Sequence, residues 1–121
     1  SLVLLTACSH EGLMKEGKML FDEMCSVYDL NVMLDHYTCM LDLLGRAGCL
    51  HEAACMVEKV PSSNHLPLLL SLLGACKKWV NLNLAKWVFL QILALNPKCS
   101  EAYVCMSNIY AAAGMQMVEK N

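Results

Sequence analysis

Cys49-Leu-His51-Glu52-Ala-Ala-Cys55 is the only local cluster whose residue types and spacing suggest a bound metal. On a helix His51 and Cys55 share a face at i, i+4, as two zinc ligands can. No fourth donor accompanies them, and no Cys-x-x-Cys pair occurs in the chain. The His-x-Glu and Pro-Cys-x-x-Cys signature of zinc deaminases is also missing. Ser9 and His10 are neighbours at a helix end, where such pairs serve as caps or solvent contacts. No glycine-rich loop of phosphate-binding form appears. The chain therefore reads as non-catalytic, with no cofactor, no metal and no small-molecule substrate. What remains is contact chemistry at Lys77-Lys78-Trp79. Two lysines closing a helix complement the negative pole of its macrodipole and can also meet phosphate. Trp79 beside them is the type of residue that anchors a partner protein, while Trp87 is read as a packing residue.

The elements that must position these groups are apolar. Of 121 residues 57% are hydrophobic and 17% charged, where about 25% charged is usual. Such a chain is not intrinsically disordered. Its apolar runs are also short: Leu66–Leu70, Leu72–Cys76 and Trp87–Leu95 with Gln91 inside it, well under the roughly 20 residues a membrane span needs. The net charge of −2 lacks the basic excess of a self-sufficient nucleic-acid binder. The distribution says more. Residues 1–60 hold four basic and nine acidic side chains, residues 61–121 five and two. The halves thus face different partners, or one another. The eight cysteines, unpaired in spacing and without a secretory leader ahead of them, read as small buried hydrophobes.

The chain also repeats itself. Leu4-Leu5-Thr6-Ala7-Cys8 returns as Leu72-Leu73-Gly74-Ala75-Cys76, a shift of 68. Gly12, Gly48, Val80 and Gly114 fall at steps of 36, 32 and 34, and five residues after the first three stand Gly17, Ala53 and Ala85. The first slot suits a helix C-terminus, where a left-handed residue closes the last turn. The second suits a close approach of antiparallel helices. Apolar residues recur at helical spacing between these marks, and breaks fall at Asp29–Val32, at Pro61-Ser62-Ser63-Asn64 and at Asn96-Pro97. The pattern predicts helix pairs at 1–10 with 13–27, 34–46 with 49–60 and 66–79 with 82–95, then 99–113 and part of a partner from 115. The fold class is all-α, an α-solenoid of antiparallel helix hairpins with about three and a half repeats. A period near 34 with two helices per unit fits the tetratricopeptide pattern, which Ala102-Tyr103, Asn108-Ile109-Tyr110 and Ala113-Gly114 resemble.

A closer likeness lies in longer strings. Leu5-Thr-Ala-Cys-Ser-His-Glu-Gly12 and His36-Tyr-Thr-Cys-Met-Leu-Asp-Leu-Leu-Gly-Arg-Ala-Gly48 resemble the last long and short repeats of plant pentatricopeptide repeat (PPR) proteins of the PLS subclass. Leu72-Leu-Gly-Ala-Cys76 and Ser107-Asn-Ile-Tyr-Ala-Ala-Ala-Gly114 resemble the E-type extension that follows those repeats. The resemblance implies a long repeat at 1–33, a short repeat at 34–65 and an E-type, TPR-like extension at 66–121. It further implies single-stranded organellar RNA as ligand, one nucleotide per repeat, and C-to-U editing with a deaminase acting in trans. The site is then a mitochondrion or chloroplast, the mitochondrion preferred. Carried over by position, the base-reading pair of the short repeat is Thr38 and His65, and that of the long repeat Leu2 and Met33. Leu2 and Met33 carry no group for a Watson–Crick edge, and His65 stands where the family most often has Asp. Lys77, Lys78 and Trp79 become the partner-docking group. A second reading is a TPR-like protein-interaction module without RNA contact, and a third the product of a decayed PPR gene. Leu69 in place of a family tryptophan, Trp79-Val80-Asn81 in place of His-Gly-Asn, and Pro67 support the last. Val80 requires that its turn be built differently from the glycine turns, or be strained. A stack entered in mid-repeat is also expected to show apolar end faces and to self-associate.

Overall fold

The computed structural model describes residues 2–26 and 34–114. Seven α-helices account for nearly all of them: α1 (Leu2–Glu11), α2 (Met14–Ser26), α3 (Leu34–Ala47), α4 (Leu50–Glu58), α5 (His65–Trp79), α6 (Leu82–Leu95) and α7 (Ser100–Ala112). A single 3₁₀ turn at Ser62–Asn64 leads into α5, and no strand occurs among the described residues. The first helices of successive hairpins stack as α1 on α3 on α5 on α7, and each second helix packs on its own first helix and the next. This is the expected solenoid.

One piece of chemistry repeats at the helix ends. Gly12, Gly48 and Gly114 are left-handed, with φ of 70, 80 and 78°. Around the first two, the N–H five residues on returns to the helix: Leu13 N to Cys8 O and Cys49 N to Leu44 O, both 2.9 Å. This paired closure satisfies carbonyls that the helix leaves open. Val80 makes the same closure, with Asn81 N to Cys76 O at 2.9 Å, and adopts φ 51°. Of the two expectations for this turn, strain is the one the chain realises. A β-branched residue is held in a region that costs roughly 1–3 kcal/mol, because Asn81 must reach its cap, where its side-chain oxygen accepts from Leu84 N at 3.1 Å.

The second slot does what small residues do. Gly17, Ala53 and Ala85 are buried, and a Cβ on Gly17 would lie 2.3 Å from Leu43 Cδ2 and 3.5 Å from Cys8 Cβ. Leu5, Leu41 and Leu73 fill equivalent core positions of the first three units. The corresponding Ser107 is exposed. Val3 and Leu4 in α1, and Leu90, Tyr103 and Val104 in α6 and α7, are among the exposed apolar groups toward the two ends.

Candidate nucleic-acid interface and partner surfaces

Polar residues of the first two units touch. Thr6 Oγ1 meets Cys39 Sγ at 3.4 Å, Lys18 Nζ pairs with Glu52 Oε2 at 2.7 Å, and the Ser9 hydroxyl donates to Asp42. The separations are 33 or 34 residues, one repeat. Arg46 completes the cluster through Asp42 (Nε to Oδ2, 3.2 Å) and the Ser9 carbonyl (Nη1, 2.9 Å). Ser9 is the one buried polar residue among the described residues, and these partners are why it is tolerated there. Sequence reasoning missed this network. Its signal was present as polar pairs spaced by one repeat.

Because α1, α3 and α5 stack, their last turns lie side by side. Those turns carry His10, then Arg46, then Lys77 and Lys78. A groove of about 230 Å³ runs between α3 and α5, lined by Asp42, Arg46, Ser71, Gly74 and Lys78 among others. It closes where Gly45 approaches Ala75, a Cβ on the glycine standing 3.0 Å from that of the alanine. Arg46 and Lys78 thus line one groove at the negative ends of two stacked helix dipoles, and His10 stands at the corresponding end of α1.

Thr38 sits exposed in the second turn of α3, and its hydroxyl donates to Leu34 O at 2.9 Å. Its proton is used inside the helix, so the oxygen faces outward as an acceptor. His65 is the first residue of α5 and is half-buried, with Nε2 donating to the Val60 carbonyl. It lines a groove with Glu58, Leu69 and Trp87. Among the described residues no hydrogen bond or shared groove joins Thr38 to His65. Leu2 opens α1, half-buried. Met33 lies outside the described residues.

Trp79 is largely accounted for within the molecule. Its indole N–H donates to Gly45 O at 2.7 Å, and its ring covers the Gly48 turn, 3.2 Å from where a Cβ would stand. It is 47% exposed, with Lys78 Nζ 5.5 Å from the ring centre. Trp87, expected to pack, is 40% exposed instead and stands between two grooves of α4 and α6. It falls on the outward side of α6, while Ala85, Val88 and Ile92 take the buried side.

Core packing for all eight cysteines also needs correction. Cys76 and Cys99 are buried, four are half-buried, and Cys25 and Cys55 are exposed. Burial pushes the Cys76 thiol up to about 11 and, with less force, raises that of Cys105. All eight are free thiols. Among the described residues no three His, Cys, Asp or Glu side chains gather as a metal site, and no helix is long and apolar enough to cross a membrane.

Stacked two-helix units with a left-handed closure every 32 to 36 residues define a helical-repeat protein. The model of the PPR repeat matches residues 2–27 and 35–65. Three Arabidopsis thaliana relatives, each named a pentatricopeptide repeat-containing protein, extend the match beyond those repeats. One named as chloroplastic is 44% identical over 93% of this chain and 17% of its own length. One named as mitochondrial is 40% identical over 93% and 18%. A third is 42% identical over 92% and 20%. The chain belongs to the pentatricopeptide-repeat family. It spans a fifth or less of the length of these relatives. No solved structure matches it.

Proposed function

We propose that this chain is a non-catalytic RNA-binding and adaptor segment of an organellar PPR protein that helps select sites for RNA processing, C-to-U editing in particular. The observation that carries the reading is the pair of cations, Arg46 and Lys78, that line one groove on the stacked helices α3 and α5. Two cations one repeat apart suit a single strand whose phosphates advance with the repeats. Thr38, on the same layer of first helices, offers one outward acceptor to a base. His65 is turned toward α4 and α6 and contributes less. In this reading residues 1–33 and 34–65 are the long and short repeats of a PLS-type array, and 66–121 its E-type extension. That extension docks a deaminase acting in trans, with Lys77, next to the Lys78 assigned to phosphate, as the charged part of the contact. The chloroplastic and mitochondrial relatives support an organellar site, and the mitochondrion is our preference.

The test is binding of the chain to single-stranded RNA across a salt series. Phosphate contacts make log affinity fall linearly with log salt, and Lys78→Gln should flatten that slope by about one contact. Thr38→Val should weaken binding to one base at one position and leave the slope unchanged. A salt-independent affinity, or none, would sink the proposal. It would favour a protein-interaction module, a reading supported by the internal use of the Thr38 proton and by the apolar Leu2.

A further inference from the structure

The second helices α2, α4 and α6 are in register through Gly17, Ala53 and Ala85, so the groove between α2 and α4 can be compared with that between α4 and α6 position by position. In the first groove, of about 310 Å³, Lys18 of α2 bridges to Glu52 of α4, and Asp22 shares the space with Lys59. Every charge there has an opposite charge close by. The equivalents of Lys18 and Glu52 at the next junction are Ala54 and Leu84. The equivalent of Asp22 is Glu58, which keeps the carboxylate, but the equivalent of Lys59 is Gln91. The equivalent of the exposed Cys55 is Trp87.

The second groove has therefore kept an acid, lost both cations and gained an indole. It divides into parts of about 160 and 190 Å³, and Glu58 and Trp87 border both. Among the described residues Glu58 has no hydrogen bond or ion pair. His65 beside it is committed to the Val60 carbonyl, and His51 lines the other part. A carboxylate beside an exposed indole, walled by Leu84, Ala94 and Leu95, is chemistry that recognises a cation with a flat face. We infer that the α4–α6 groove docks an arginine side chain of a partner polypeptide, the guanidinium stacked on Trp87 and paired with Glu58. Arginine fits better than lysine because a planar guanidinium can do both at once. An RNA strand is the poorer occupant, since Glu58 repels its phosphates.

The chain has only two tryptophans, and Trp79 is an internal reference because its N–H is bonded to Gly45 O. The experiment follows both indole N–H signals by NMR as the full chain is titrated with a capped Leu-Ala-Arg-Ala-Leu peptide. The Trp87 signal should move and saturate while that of Trp79 stays in place. The same peptide with neutral citrulline for arginine should bind about tenfold more weakly, as should the arginine peptide to Glu58→Gln. Glu58 is exposed, so the variant is expected to fold, and an unmoved Trp79 signal verifies it. Equal binding of the citrulline peptide, or undiminished binding to Glu58→Gln, overturns the proposal. So does a shift of the Trp87 signal by oligouridine that the arginine peptide cannot compete away, which would give the groove to RNA. None of these outcomes depends on the RNA reading of the first-helix layer.

Discussion

The junction between the first and second units and that between the second and third hold the same register by different means. The first is laced by Ser9, Asp42 and Arg46, with Lys18 and Glu52 on the other side. The second is closed by Gly45 against Ala75 and by Trp79 over the Gly48 turn, with one hydrogen bond to Gly45 O. Half-exposed ion pairs contribute little, roughly 0–1 kcal/mol each. They do penalise a wrong register, since a slip leaves Ser9 and Asp42 unpartnered. Aromatic packing and close backbone approach contribute more and ignore salt. A repeat protein can therefore spend charge on alignment at one junction and burial on stability at the next.

Four measurements would break or sharpen this contrast. The largest effect should come from the apolar junction. Leu73 is fully buried, and Leu73→Ala should cost about 3 kcal/mol in urea unfolding. Trp79→Ala, which removes both the ring over Gly48 and the bond to Gly45, should cost about 2 kcal/mol. Trp79→Phe should recover much of that, because the ring returns without its N–H. If the alanine variant were neutral, the second junction would not rest on that ring. Next comes relief of strain. Val80→Gly should raise stability by about 1 kcal/mol, because glycine meets φ 51° without a Cβ clash. Smallest is the laced junction. Asp42→Asn should cost about 0.5–1 kcal/mol at low salt and less in 1 M salt, whereas the Trp79 effect should not change.

A pH series separates the two further. The Cys76 thiol, buried at the third unit, is held up to about 11. Protonated in the fold and more acidic when unfolded, it stabilises fully below the ordinary thiol value. That stability drains away as pH rises through about 11. Cys76→Ala should flatten this alkaline decline, and an unchanged profile would place its cause elsewhere.

Much of the fold was legible in order. The glycine slots, the small residues five positions on and the proline breaks located every described helix to within one or two residues, because those signals are local. Trp87 was misread because helical periodicity fixes which residues share a face, not whether a neighbour covers that face. Cys25 and Cys55 failed for the same reason: a small apolar residue type does not report its depth. The Thr38 and His65 pair was taken from resemblance by position; Thr38 lies in the second turn of α3 and His65 opens α5. The directions of their hydrogen bonds were not readable.

Alone, the sequence determined the repeat, the hairpins and the family, since period, caps and strings of residues are properties of the chain in one dimension. It also posed the question of Val80, and offered two answers. Only the tertiary structure chose strain, because Asn81 must cap α6 and the turn has no other way to bring it there. The tertiary structure alone also set Ser9 against Asp42, laid Trp79 on Gly48 and left Glu58 beside Trp87 with no ion pair among the described residues. Each of these depends on how far one unit is rotated on the next, an angle set by the summed packing of many side chains and written at no single position.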